Sequence, residues 1–194
     1  MALKLSEGNN YTPAPAGLHN AVCVSVVDLG LQQSQFGIKP KVLLAFELPD
    51  TVDDNGKPYL ISRTFGASLH KQGALRPLVS AWRGRDFTPE ELKQFDIGVL
   101  LGKPLKLLIQ HAANDSGKVF ANITAAVKPD KGQSALCTSP LIQWDMDAPD
   151  ELAKSQLPEW IRKLIDAAIP PVVKQSATAT TVAPGFDDFD DLTF

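Results

Sequence analysis

The first clear pattern along the chain is alternation. Val22, Val24 and Val26 alternate with Cys23 and Ser25, the period of two that marks a half-buried strand. The strand is expected from Gly17 to Leu29, with Gly30 ending or kinking it. After a polar loop containing Gln32, Gln33, Gln35, Phe36 and Gly37, alternation resumes from Lys41 to Leu48, with Val42, Leu44, Phe46 and Leu48 on one face. Pro49 stops this second strand, and Asn55-Gly56 is the strongest short hairpin signal available. Tyr59 to Phe65 returns as a third strand. Leu105, Leu107 and Ile109 mark a fourth, and Asp115-Ser116-Gly117 makes a turn. A fifth follows with Val119, Ile123 and Val127 on one face and Lys118, Phe120, Asn122 and Thr124 on the other.

Between the third and fourth strands the period changes. Leu75, Leu78, Val79 and Trp82 recur at helical spacing, while Gly73 and Pro77 argue against one unbroken helix from Ser68; a turn followed by a short helix is expected. Thr88-Pro89-Glu90-Glu91 has the form of a further helix start, with Thr88 as cap, Pro89 in the first turn and Glu91 closing a capping box. Leu92 and Phe95 would anchor that helix, which explains the two glutamates better than catalysis does. Further on, Leu157, Trp160, Ile161, Leu164, Ile165 and Ala168 mark an amphipathic helix, begun by Pro158 and stopped by Pro170-Pro171. Its stripe is expected to pack on the body, a homodimer contact being the alternative.

Three strands, a helical insert and two strands, on a chain this short, predict a mainly β fold. The expected architecture is an OB-fold-like five-stranded barrel with a helical insert between strands three and four, followed by a C-terminal helix and a disordered acidic tail. A small sandwich is the alternative. The expected domains are 1–131 for the nucleic-acid-binding body and 132–169 for a C-terminal wrap, through Leu141, Ile142 and Trp144, plus the amphipathic helix. A flexible, low-complexity linker over 170–185 leads to an acidic interaction tail over 186–194.

Composition narrows the setting. A hydrophobic fraction of 44% over 194 residues suffices for one good core plus an appendage. Cys23 and Cys137 stand far apart with no ligand spacing, so neither a disulfide framework nor a zinc site is suggested. The start M-A-L-K-L-S-E-G-N-N lacks the apolar run of a signal peptide, and no stretch approaches a membrane span; a cytoplasmic protein without membrane contact is expected. Charge is divided unevenly. Residues 1–131 carry 15 Lys/Arg against 12 Asp/Glu, whereas residues 132–194 carry 4 against 10. Such a split suggests a body that meets a polyanion and a tail that meets either another partner or that same body.

The basic character concentrates between Asn55 and Arg85, where Lys57, Arg63, Lys71, Arg76, Arg83 and Arg85 occur without an acid and are interleaved with Tyr59, Phe65 and Trp82. Single-stranded nucleic acid is held by this pairing of residue types, cations on the phosphates and ring faces against unpaired bases. Tyr59, Ile61, Arg63 and Phe65 share one strand face, with about 6.5 to 7 Å between successive members, a spacing that suits stacking; burial of Ile61 and Phe65 with Arg63 reaching solvent is the alternative. Lys39, Lys41, Lys118 and Phe120 complete the expected nucleic-acid-binding set, with Trp82 also fitting a core position.

The chain ends F-D-D-F-D-D-L-T-F. Asp190-Asp191-Leu192-Thr193-Phe194 resembles the acidic, phenylalanine-terminated tip of bacterial single-stranded DNA-binding proteins, although Leu-Thr departs from the bacterial Ile-Pro form. P-A-P-A-G-L-H-N-A-V near the start is similar to small phage single-stranded DNA-binding proteins. The resemblance implies an OB-fold core that coats exposed strands during phage DNA replication, recombination and repair, in the host cytoplasm. It also implies a tail, through Asp187, Asp188, Phe189, Asp190, Asp191 and Phe194, that recruits replication or recombination proteins.

Catalytic motifs are sparse. His19, His70 and His111 have no Cys, Asp or Glu at ligand spacing, and no phosphate-cradling glycine loop is present. No enzymatic activity, catalytic residue, cofactor or metal is therefore expected. Two alternatives stand beside the DNA-binding expectation: a recombination or replication mediator acting through protein contacts, and a metal-dependent nuclease using Asp53-Asp54, residues better explained as turn formers.

Overall fold

The computed structural model describes residues 12–35 and 37–170; the linker beyond 170 and the acidic tail lie outside the described residues. The fold is mainly β. An open six-stranded sheet is built from β1 (Gly17–Ser34), β2 (Gly37–Val52), β3 (Pro58–Gly66), β4 (Pro104–Ala113), β5 (Val119–Val127) and β6 (Ile142–Trp144), with helices α1 (Leu75–Arg83), α2 (Glu151–Gln156) and α3 (Glu159–Asp166). None of the helices is long and apolar enough to cross a membrane. The strand order is β3-β2-β1-β4-β5, with antiparallel pairing throughout. β6, which the alternation did not predict, adds parallel to Ser25–Val27 of β1.

β1 organises the sheet. Its first residues, Gly17 to Val22, pair with β4, and from Val22 onward it pairs with β2. β6 takes up the free edge where β4 leaves. One strand can serve three partners because it is bent by two irregularities. Cys23 faces Phe46 and Ser25 faces Ala45, so Val24 is an extra residue, and a second extra residue falls between Asp28 and Leu31. A bulge of this kind bends the strand and raises its twist. Gly30 sits in the second bulge at φ +63°, and a Cβ there would come within 3.1 Å of Ala168. Only glycine meets both demands without strain.

These bulges correct the expected faces. Ala21, Cys23 and Val26, rather than Val22, Val24 and Val26, enter the main core with Val42, Leu44, Phe46 and Leu48 of β2, the face of β2 that alternation predicted. Burial pushes the Cys23 thiol up to about 12. In β5, Ala125 pairs with Leu108 and Ile123 with Ile109, which leaves Thr124 unpaired in a bulge. Beyond it the face inverts: Ala126 is buried with Ile123, while Val127 is exposed; Val119, before the bulge, is exposed where β5 begins.

α1 closes the main core with Leu75, Leu78, Val79 and Trp82, the four residues named by its spacing. Pro77 falls in its first turn, where a missing N–H breaks no helical bond. The helix expected from Thr88 does not form. Its capping box does, Thr88 N donating to Glu91 Oε2 (3.0 Å) and Glu91 N to Thr88 Oγ1 (3.3 Å), but turns follow and then a short 3₁₀ helix at Ile97–Leu100. The Glu91 carboxylate is pulled toward two arginines, and Phe95 returns to the core after one turn, packing its ring 4.9 Å from Phe87.

The opposite face of β1 and β2 carries a second core. Val27, Leu29 and Leu43 meet Ile142 and Trp144 of β6 and Leu157, Ile161 and Ile165 of the α3 segment. The C-terminal segment thus packs on the sheet through Ile142 and Trp144, while Leu141 is exposed. Trp160, counted in the amphipathic stripe, remains 49% exposed. Glu47 of β2 fixes the approach to β6. It is fully buried, and its carboxylate accepts from Thr138 N (2.8 Å), Ser139 N (2.7 Å) and Thr138 Oγ1 (3.2 Å). Burial acts to raise its pKa, but the bonds from Ser139 and Thr138 outweigh it and hold the group below the ordinary glutamate value.

Candidate nucleic-acid interface

The basic stretch between Asn55 and Arg85 divides in the fold. Its arginines are engaged with the protein. Arg76 forms a two-pronged pair with Asp86, at 3.1 and 2.8 Å. Arg83 and Arg85 share the Glu91 carboxylate, Arg85 reaching it at 2.7 and 2.9 Å. With Arg85 and Arg83 bonded to it, that carboxyl titrates at about 2, far below an ordinary glutamate. Arg63 donates from Nη1 to the Ile123 carbonyl at 2.7 Å and lies 5.0 Å from the Phe65 ring centroid. The expectation that Arg76, Arg83 and Arg85 stand open for phosphates is corrected accordingly, since Asp86 and Glu91, just past the end of the basic run, fold back onto them.

Arg63 has a second consequence. β3 and β5 are the two ends of the strand path, and this side chain crosses between them. Ser62, Arg63, Asn122, Ile123 and Thr124 line a cleft of about 390 Å³ at the seam.

The aromatic expectations divide in the same way. Phe65 and Trp82 are core residues, Trp82 packing edge-on against Phe46 at 6.0 Å and donating from Nε1 to Pro104 O at 2.8 Å. Neither presents a ring face to solvent, which corrects both as stacking platforms. Phe65 is buried by the same alternation that places Ile61 in the core. Tyr59 is half-buried against that core. Phe120 is 37% exposed beside the β4–β5 turn, with Lys118 Nζ 5.5 Å from its centroid. That turn is held by Asn114, whose side chain accepts from Ser116 N and Lys118 N at 3.1 and 2.9 Å.

Of the lysines, Lys39, Lys57 and Lys71 are exposed and Lys41 is partly so. Lys39 and Lys41 lie on the β1–β2 hairpin where it runs past the end of β3, since Lys41 pairs with Gly66, the last residue of that strand. Lys57 follows the β2–β3 turn. There Asp53 accepts from Asn55 N and Lys57 N, both at 2.9 Å, and the bond from Lys57 N leads those holding its carboxyl below the usual range. Asp53 is therefore occupied as a turn former. Among the histidines, His19 Nε2 lies 2.9 Å from Pro15 O and His111 Nε2 2.8 Å from Ala14 O, so both pin the segment before β1.

Sequence reasoning missed two cations. Lys103 precedes β4 and Lys128 follows β5, and with Arg83 they border a cleft of about 580 Å³ floored by Trp82, Phe95, Val99, Leu100, Pro104 and Pro129. Only the pairing of the strands brings these distant positions together. No protein-family model matches the chain, and no curated protein matches its sequence.

Proposed function

We propose that this chain is a non-enzymatic single-stranded DNA-binding protein of the OB-fold type, in which β1 to β5 form a partly open barrel. The observation that carries the proposal is the strand order β3-β2-β1-β4-β5, with β1 shared by β2 and β4 and α1 inserted between β3 and β4. In that architecture oligonucleotides bind on strands two and three and on the loops joining strands one to two and four to five. Here Lys39 and Lys41 stand on β2 just after the β1–β2 loop, and Lys118 and Phe120 flank the junction of the β4–β5 turn with β5. Arg63, bonded across from β3 to β5, supplies a strut where a closed barrel would have a ladder. The phenylalanine-terminated acidic tail, outside the described residues, is assigned the recruitment of replication or recombination proteins.

A titration with single- and double-stranded oligonucleotides tests the proposal. Binding should favour single strands, depend weakly on sequence and fall steeply with salt, each neutralised phosphate adding about 0.7 to the log–log slope. Equal affinity for duplex, or a slope near one contact or fewer, would refute it. A second reading, a mediator acting through protein contacts, draws on the half-exposed Trp160 of α3; pull-downs with Trp160→Ala distinguish it.

A further inference from the structure

We infer that the cleft between the end of α1 and the start of β4 is a binding site for a nucleoside phosphate, separate from the loops just described. Its rim is cationic. Lys103 and Lys128 line it, and among the described residues neither makes an ion pair. Arg83 also lines it, together with Glu91, the one acid in the lining. That carboxylate already serves two arginines, so the local balance stays positive.

The Arg83 guanidinium is held rigidly, 4.8 Å from the Phe87 centroid and 5.4 Å from that of Phe95. Its Nη2 is spent on Glu91, while Nη1 is buried with no hydrogen-bond partner. Nη1 is thus enclosed, so Arg83 adds its charge to the rim, and the exposed Lys103 and Lys128 are the groups free to donate to phosphate oxygens. Lys128 is placed by packing: it lies across Gly84, the left-handed residue that ends α1, so closely that a Cβ there would stand 2.9 Å from Lys128 Cδ.

The floor supplies the other half of the ligand. Phe95, Leu100, Pro104 and Pro129 form an apolar surface, Val99 is 52% exposed upon it, and the Trp82 bond to Pro104 O fixes it in place. Cations above an apolar floor suit a group that joins a phosphate to a flat heterocycle. The inference rests on the proposed nucleic-acid function only where the nucleotide belongs to a strand; a free mononucleotide has the same chemistry.

The test uses the full chain, thymidine monophosphate, inorganic phosphate and a thymidine oligonucleotide, followed by amide NMR shifts and by salt titration. Thymidine monophosphate should give saturable shifts at Arg83, Gly84, Val99, Lys103 and Lys128, larger than those from inorganic phosphate. Lys103→Glu/Lys128→Glu should abolish them, while Lys39→Glu/Lys41→Glu should leave them intact. With the oligonucleotide, Lys103→Ala/Lys128→Ala should lower the log–log salt slope by about 1.4, two contacts at about 0.7 each. Circular dichroism of each variant establishes that it is folded.

If the oligonucleotide fails to bind the native chain while the mononucleotide shifts persist, the proposed function falls and the cleft stands as a free-nucleotide site. An unchanged slope alongside intact mononucleotide shifts also assigns the cleft to free nucleotides. Absence of shifts at these amides overturns the inference, as do equal shifts from inorganic phosphate alone. Shifts from a synthetic Phe186–Phe194 peptide but not from the nucleotide overturn it in favour of an acidic peptide.

Discussion

Glu47→Gln changes one atom in the carboxylate that holds the approach to β6 against the sheet. The native group accepts three hydrogen bonds, from Thr138 N, Ser139 N and Thr138 Oγ1. The amide keeps one acceptor oxygen and turns an NH₂ toward a backbone donor, so at least one charge-assisted bond is lost. A bond to a charged group contributes about 1.5 to 3 kcal/mol. On a chain of this size that corresponds to a fall in Tm of about 3 to 12 °C at pH 7. The pH dependence is more specific. A depressed folded pKa means that the stabilisation is fully present above the ordinary glutamate value of 4.5 and is lost as pH falls through the folded value. The gap between native chain and variant should therefore be widest near pH 7 and close in acid, where the native carboxyl becomes protonated and resembles the amide. Paired thermal melts from pH 7 to pH 3 measure the gap, and hydrogen exchange at Thr138 and Ser139 locates it. A constant gap, or equal melts at pH 7, would refute the argument.

Arg63→Ala should destabilise the fold by about 1.5 to 3 kcal/mol in urea melts, the worth of a charged hydrogen bond to the Ile123 carbonyl; an unchanged midpoint would show that the β3–β5 seam does not depend on it. Phe120→Ala should leave melting unaltered yet weaken oligonucleotide binding by roughly 1 to 3 kcal/mol, measured by fluorescence anisotropy. Trp82→Ala should do the reverse of Phe120→Ala, costing roughly 3 to 5 kcal/mol of stability as a buried aromatic truncation, read in the same melts. Deleting 186–194 should tighten strand binding, most at low salt, and abolish partner pull-down, while Phe194→Ala should lose the partner and keep the charge competition; weaker DNA binding with partners retained would count against the tail's role.

The strands were legible because alternation survives wherever one residue faces one residue. The four buried positions of β2, Val42, Leu44, Phe46 and Leu48, follow directly from their spacing. Alternation misassigns a face wherever a bulge adds a residue, as at Val24 and Thr124, and nothing in either local sequence marks the insertion. Three residues of β6 are too few to show a period, and their pairing with Ser25–Val27 depends on β4 having left that edge. The capping box at Thr88 was legible as hydrogen bonds and not as a helix, because the competing demand of Arg83 and Arg85 on Glu91 is tertiary. The same holds for Arg76. An acid-free run shows how many cations there are, but the acids that neutralise them come from beyond its end.

That division of cations bears on how a strand would be held. Arg63, Arg76 and Arg85 spend guanidinium donors on carbonyls or carboxylates of the fold itself, as Arg83 does through Nη2, whereas the cations on the β1–β2 hairpin and the β2–β3 turn are lysines: Lys39, Lys41 and Lys57. A guanidinium fork matches phosphate or guanine edges in two-pronged fashion, while an ammonium acts as a hydrated point charge on a flexible stem. A surface that keeps its arginines for the fold and offers lysines outward can neutralise phosphates without reading bases. Strand binding built this way should be tolerant of sequence and sensitive to salt. A marked preference for guanine-rich oligonucleotides at constant ionic strength would mean that an arginine leaves its partner on binding. Arg85 would be the first to examine, because its side chain is the most exposed of the three in ion pairs with Asp86 and Glu91.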